Sequence, residues 1–261
     1  MIFQDRFKNK IAIVTGAAQG IGRGVAERIA KEGAKTVLVD RSDVVLEVAE
    51  SLKKAGYDVL AIQADLETLA GFNKMSDRVI QTFGKIDILI NNVGGTIWAK
   101  PFQHYEEEEI MKEINRSLFP TLWGCRSVLP HMISNGGGVI VNVSSVATRS
   151  VNRVPYAAAK GGVNAITASL AFEQAPNHVR ILGVAPGGTE APQRIIPRNE
   201  NPQTDEERMW YQQIVDQTME SSLQKKYGTI EDQVSTILFA ASDEAKYITG
   251  VTIPVAGGDL G

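Results

Sequence analysis

The chain has 261 residues, 43% hydrophobic and 22% charged, the balance of an ordinary globular protein with one large core. A formal net charge of −3 gives no general attraction to phosphate backbones or anionic membranes, which excludes nucleic acid as the expected partner. The lone Cys125 cannot form an internal disulfide, and no leader-like or membrane-length apolar run is present, so a reducing cytoplasmic setting is expected.

No linker, repeat or low-complexity tract divides the sequence, so residues 1–261 are expected to form one α/β domain. Short β-branched runs alternate with segments of helical periodicity, which predicts a doubly wound parallel sheet with crossover helices on both faces. The expected strands are KIAIVTG, KTVLVD, DVLAIQAD, KIDILINN, GVIVNVSS, VRILGVAP and GVTIPVAGG, and their near-continuous apolar character suits burial on both sides. Helices are expected over about 20–33, 43–56, 67–83, 105–134, 155–175 and 229–241.

The first strand runs through Thr15-Gly16-Ala17-Ala18-Gln19-Gly20-Ile21-Gly22 into a helix. Gly16, Gly20 and Gly22 permit a tight turn and close helix packing. With Gln19 and Ile21 they bring the unpaired amides of a helix N-terminus to a diphosphate. Asp40 closes the second strand, where a carboxylate accepts hydrogen bonds from ribose hydroxyls and repels a 2′-phosphate. That predicts NAD rather than NADP, although Arg41 follows directly. Asp65, with Leu66, ends the third strand at the expected adenine site, and Asn91-Asn92-Val93-Gly94-Gly95 ends the fourth. There Asn92 is expected to brace neighbouring strands, while Gly94 lets a cofactor lie close.

Ser145 ends the strand GVIVNVSS, and Tyr156 and Lys160 follow on a helix opened by Pro155. Their i, i+4 spacing places both on one helix face. A free phenol ionises at about pH 10, too high for a base at neutrality. An ammonium nearby stabilises the phenolate, so Tyr156 is the expected proton acceptor from an alcohol, with Ser145 holding the substrate oxygen. Cys125 sits in a helical stretch and reads as a packed small thiol. The histidines, His104, His131 and His178, are scattered, and no metal-ligand cluster is expected.

Residues 188–228 break the rhythm of short connections. A helix over Thr204 to Ser222, opened by a capping-box pattern, makes a lid over the sheet's C-terminal edge the expected reading; a surface insertion is the alternative.

With TGAAQGIG, Asp40, NNVG, Ser145, YAAAK and Pro186-Gly187 in place, the chain resembles the short-chain dehydrogenase/reductase family over essentially its whole length. The resemblance implies a seven-stranded Rossmann sheet and a homotetramer. It also implies Tyr156 as catalytic base, Lys160 on the nicotinamide ribose, and Pro186, Gly187 and Thr189 near the carboxamide. Three departures stand out. Ser117 falls where many members carry a catalytic asparagine, with Asn115 two residues away, so no such asparagine is assigned. The stretch from Ser145 to Tyr156 is short, and Val255-Ala256-Gly257-Gly258 has alanine where aspartate is typical.

The segments NNVGGTIWAKPFQHY, SSVATRSVNRVPYAAAKGGVNA, APGGTEAP and SDEAKYITGVTIPVAGGDLG are similar to the bacterial benzoate and toluate cis-diol dehydrogenases. That resemblance implies a cyclic diol carboxylate as substrate, oxidised to a catechol with loss of carbon dioxide. A carboxylate calls for a cation, and Arg149 and Arg153 are the candidates, with Arg194 and Arg198 as rivals. Trp98 and Trp210 are candidates for packing on the ring. Oxidation of another alcohol or dihydrodiol without decarboxylation, or NAD sensing without chemistry, are the competing readings.

Overall fold

The computed structural model describes residues 2–199 and 202–261, so Met1 and, within the expected lid, Glu200 and Asn201 lie outside the described residues. Its strands are β1 (Ile11–Thr15), β2 (Lys35–Asp40), β3 (Val59–Gln63), β4 (Ile88–Asn91), β5 (Gly138–Val143), β6 (Val179–Pro186), β7 (Thr189–Glu190), β8 (Gly228–Thr229) and β9 (Thr252–Val255). Seven form one parallel sheet in the order β3-β2-β1-β4-β5-β6-β9, and β7 pairs with β8 apart from it. The helices are α1 (Gly20–Lys31), α2 (Val44–Lys54), α3 (Leu69–Phe83), α4 (Glu107–Ser117), α5 (Phe119–Ser134), α6 (Val154–Gln174), α7 (Asp205–Ser221) and α8 (Ile230–Ala241). Among the described residues no helix is long and apolar enough to cross a membrane.

Alternation along the strands explains why they read as unbroken apolar runs. Ala12, Val14, Leu38, Ile90 and Val141 face one core layer, where Val25, Ile29 and Ile237 pack from α1 and α8. Ile13, Val37, Leu89, Ile140 and Ile181 face the other, against Phe72, Met75, Val128 and Met132 from α3 and α5. The inner strands β2, β1, β4, β5 and β6 are therefore buried on both faces over most of their length.

Strand order reverses between β1 and β4, the crevice where open α/β sheets bind ligands at their C-terminal edge. A buried polar ladder crosses the sheet beside it. Asn91 Nδ2 donates to Asn142 Oδ1 at 3.0 Å, and Asn142 Nδ2 donates to Thr167 Oγ1 at 3.0 Å, linking β4, β5 and α6. Cys125 lies against it, and burial pushes its thiol up to about 12, so it is a packing residue.

One expected element differs. The single helix predicted over 105–134 is two helices that break at Leu118 (φ −114°, ψ −55°). Pro120, the second residue of α5, has no N–H to offer the carbonyl of Arg116, so the helical ladder cannot run through. The strand pair β7/β8 was also not expected; it closes the base of the long excursion, with Thr189 opposite Gly228.

Asn142→Ala should lower unfolding free energy by about 2–3 kcal/mol, because Asn91 and Thr167 each lose a buried partner. Urea unfolding of wild type and variant checks it; a loss below ~0.5 kcal/mol would show the ladder to be energetically idle.

Candidate active site

Two cavities open along the C-terminal edge of the sheet, one of about 460 Å³ lined by the glycine loop and Asp40, the other of about 760 Å³ lined by Ser145, Tyr156 and Lys160. They meet at Ile21, Asn92, Gly94 and Thr189.

The first has the shape and the open helix N-terminus that suit a dinucleotide. Gly16 and Gly20 take positive φ of 66° and 61°, and the position a Cβ would occupy on Gly20 faces open space. A Cβ on Gly22 would overlap the Gly16 carbonyl, so only glycine lets α1 approach β1 this closely. Helix α1 has no acidic residue in its first turn and no side-chain cap at Gln19, which leaves its N-terminal amides available to an anion. Asn92 holds the loop from β4: its N–H donates to Thr15 Oγ1 at 2.9 Å and its Nδ2 to Thr15 O at 3.1 Å. The Asp40 carboxylate accepts from Ala18 N and Ser42 N, each at 3.1 Å, and stands at the lip of the cleft. Asp65 Oδ1 accepts from Glu67 N at 3.0 Å, with Leu66 buried behind it. These residues fit the bound cofactor that the glycine pattern predicts.

Gln19 has a second task. Its Nε2 donates to Ile196 O at 3.1 Å, and its Oε1 accepts from Ile195 N at 3.0 Å and Ile196 N at 3.3 Å. The irregular stretch after β7 is thereby tied down over the glycine loop.

In the second cavity Tyr156 and Lys160 stand one turn apart on α6, both buried. Lys160 Nζ lies 5.9 Å from the Tyr156 ring centroid and donates to Val143 O at 2.8 Å. Burial, and then repulsion from Arg198, lowers the lysine from 10.5 to about 7. Gly94 lies against it; a Cβ there would come within 3.1 Å of Nζ. Ser145 Oγ accepts from Ala147 N at 3.1 Å and donates to Pro186 O at 3.4 Å, which joins the ends of β5 and β6. Thr189 Oγ1 turns back to Gly187 O at 3.1 Å. Ser117, rather than Asn115, meets the floor of this site: it is fully buried, and its Oγ accepts from Gly95 N at 3.2 Å.

All four arginines border the catalytic cavity, and they differ in burial and in partners. Arg153 reaches back over Tyr156, its guanidinium carbon 5.9 Å from the ring centroid, and its Nε donates to Ser150 Oγ at 2.6 Å. Burial lowers its pKa, opposed by Tyr156, Tyr227, Tyr211 and Tyr105 around it. Arg149 also borders the cavity but its side chain is exposed. Arg194 faces the cofactor cleft, with Nε donating to Ile196 O at 3.2 Å, and burial takes it down to about 10. Arg198 lies against Gly95, exposed to solvent.

Trp98 borders the cavity, whereas Trp210 stacks on His104 at 5.3 Å and leaves Tyr211 to face inward. Three contributors were not foreseen in the sequence. Glu113 is fully buried, and its Oε1 accepts from Ile97 N (2.7 Å) and Trp98 N (2.9 Å), fixing the wall; burial raises its pKa. Ser150 and Gln217 bridge the Arg153 loop to α7. None follows from a periodic pattern, because Glu113 and Gln217 find their partners in other segments of the chain.

Residues 10–201 match the pattern of the family described as short chain dehydrogenase. The chain belongs to that family. A 1,6-dihydroxycyclohexa-2,4-diene-1-carboxylate dehydrogenase of Pseudomonas putida is 59% identical over 98% of this short chain dehydrogenase and 94% of its own length. One from Acinetobacter baylyi, of the same description, is 56% identical over 98% of both chains. A solved 3-ketoacyl-(acyl-carrier-protein) reductase from Brucella melitensis, complexed with NADH, superposes with a TM-score of 0.84 at 30% identity, covering 97% of this chain and 99% of its own. The protein is an oxidoreductase of Rossmann fold, with the cleft of a nicotinamide enzyme.

Lys160 carries a cost that stability can read. A lysine at about 7 when folded and 10.5 when unfolded is destabilising while charged; the cost is full below pH 7 and fades as pH rises to 10.5. In the cofactor-free protein Lys160→Met should gain about 2–4 kcal/mol near pH 6, after allowing for the lost bond to Val143 O, and progressively less above pH 7. Denaturant titrations at several pH values check it. A pH-independent difference would reject the buried charge.

Proposed function

We propose that this dehydrogenase oxidises 1,6-dihydroxycyclohexa-2,4-diene-1-carboxylate, or a ring-substituted relative, with NAD, yielding a catechol and carbon dioxide. Near-full-length similarity to two dehydrogenases of that description supports the substrate class. The observation that carries the reading is Arg153, a partly buried guanidinium beside Tyr156 with no carboxylate partner among the described residues.

The substrate bears its carboxylate on C1 and its secondary carbinol on the adjacent C6. A cation that holds the carboxylate must therefore stand next to the group that takes the carbinol proton. Arg153 meets that condition over the Tyr156 ring; Arg149, Arg194 and Arg198 also line the cavity, but each is exposed. Ser145 holds the reacting hydroxyl, and Tyr156 accepts its proton. Lys160, bonded to Val143 O, keeps a positive charge beside the phenol and reaches the nicotinamide ribose. The nicotinamide supplies the hydride acceptor when bound. Oxidation at C6 puts a ketone β to the carboxylate, and a β-keto acid that becomes aromatic on losing carbon dioxide needs little further help. The residues need only align the carbinol and take one proton.

For the cofactor, the amides of Gly16, Gln19, Gly20, Ile21 and Gly22 receive the diphosphate. Asp65 and Leu66 take the adenine, and Asn92, Gly94, Pro186, Gly187 and Thr189 the nicotinamide end. Asp40 selects NAD, since its carboxylate favours two ribose hydroxyls and repels a phosphate. A homotetramer in the cytoplasm completes the reading. The bare side chains of Phe172 on α6 and of Tyr247, 90% and 100% exposed, are the kind of apolar surface that subunit contacts cover.

The deciding assay supplies NAD and the cis-diol carboxylate and follows NADH, catechol and carbon dioxide together. Equal yields are expected; NADH without carbon dioxide would sink the substrate assignment. Tyr156→Phe should lower kcat by about 10²–10⁴ while leaving NAD affinity within about two-fold. Asp40→Ala should lower kcat/KM for NAD by about ten-fold or more and raise that for NADP. An unchanged preference would remove Asp40 from cofactor selection.

A further inference from the structure

Arg153 does not hold its own orientation. Its Nε donates to Ser150 Oγ at 2.6 Å, and the Ser150 hydroxyl donates in turn to Gln217 Oε1 at 3.2 Å. Gln217 belongs to α7, the helix of the long excursion, 67 residues away in sequence. Two backbone contacts leave its carboxamide no choice of direction: Oε1 accepts from Val151 N at 3.0 Å, and Nε2 donates to Arg149 O at 3.2 Å. The Ser150 hydroxyl proton is shared between Gln217 Oε1 and Val151 O, the latter at 3.3 Å, and in either direction its lone pairs remain for the arginine. With Nε occupied, the guanidinium presents its two terminal nitrogens as the free edge of the fork.

Next to this chain, Asn152 holds the same loop to the same helix. Its Nδ2 donates to Gln213 Oε1 at 2.7 Å and to Trp210 O at 3.0 Å. Asn152 takes the left-handed conformation (φ 57°), which turns the loop toward α7 just before Arg153. Helix α7 buries only Ile214, so it docks chiefly through these polar contacts.

We infer that Gln217 and Ser150 form a positioning relay through which the lid helix aims Arg153, so that recognition of the substrate carboxylate depends on α7 being docked. The inference rests on the proposed role of Arg153, and it extends substrate selection to two residues that act through that arginine.

The test compares the diol carboxylate with the same cis-diol lacking the carboxylate, the latter read as Ki against the acid so that it needs no turnover. Ser150→Ala and Gln217→Ala should each raise KM for the acid about ten-fold, with kcat within about two-fold and Ki of the neutral diol unchanged. The double variant should be no worse than about either single one, as expected of one chain of contacts. Ser150→Thr, which keeps the hydroxyl, should restore most of the affinity. Arg153→Ala should give the largest loss of discrimination. If Arg153→Ala discriminates but Ser150→Ala and Gln217→Ala do not, the relay is wrong and the anchor stands. If Arg153→Ala weakens acid and neutral diol alike, anchor and relay both fall.

Discussion

Everything at this site is organised by one buried ammonium. Lys160 stands at the C-terminal end of β5, where its Nζ donates to Val143 O and faces Gly94 and the ring of Tyr156. An unpaired cation in the interior is expensive, and no carboxylate among the described residues neutralises this one. The surroundings tolerate it because the rest of the sheet edge is rigid. Asn91, Asn142 and Thr167 tie β4 and β5 to α6, and Ser144 Oγ donates to Asn164 Oδ1 at 2.6 Å one turn beyond Lys160. Stability is thus given up at the position where a charge has to face the reacting group.

The same edge shows why much of the molecule could be read from the sequence. Strands that alternate between two apolar layers have to be apolar throughout, so β1, β2 and β4 to β6 declared themselves. Gly16, Gly20 and Gly22 are required by local backbone geometry, and Tyr156 and Lys160 by the pitch of one helix, so all are visible as short patterns. The break at Leu118 was legible in principle, since Pro120 cannot donate to Arg116, but a continuous helical period concealed it. Choosing Arg153 over Arg149 was not legible. Both lie in one short loop, and what separates them is whether the loop turns its side chain under Tyr211 and Tyr227 or out to water. Contacts such as Gln217 with Ser150, or Glu113 with Trp98, join distant segments through single side chains and leave no periodic trace.

The long excursion is tied down at several places, largely by hydrogen bonds. Gln19 grips Ile195 and Ile196 above the glycine loop, and Gln213 and Gln217 grip the loop between Ser145 and Tyr156. One attachment touches the glycine loop, and another touches the loop that carries Arg153. Few buried apolar contacts and many partly exposed hydrogen bonds are the marks of a segment that opens at low free-energy cost. Such a segment suits a site that must admit a dinucleotide and a ring and then exclude water.

This arrangement also bears on release. On the proposed chemistry, the group that Arg153 holds is the group that leaves the ring. The substrate enters as an anion gripped by a guanidinium that burial makes receptive to negative charge. The catechol that remains has no carboxylate, so it forfeits a charge-assisted contact in the step that creates it. Substrate and product share the ring and the reacting oxygen; they differ at the one contact that the lid helix controls. Binding energy concentrated on the departing carboxylate favours substrate capture without tightening product retention.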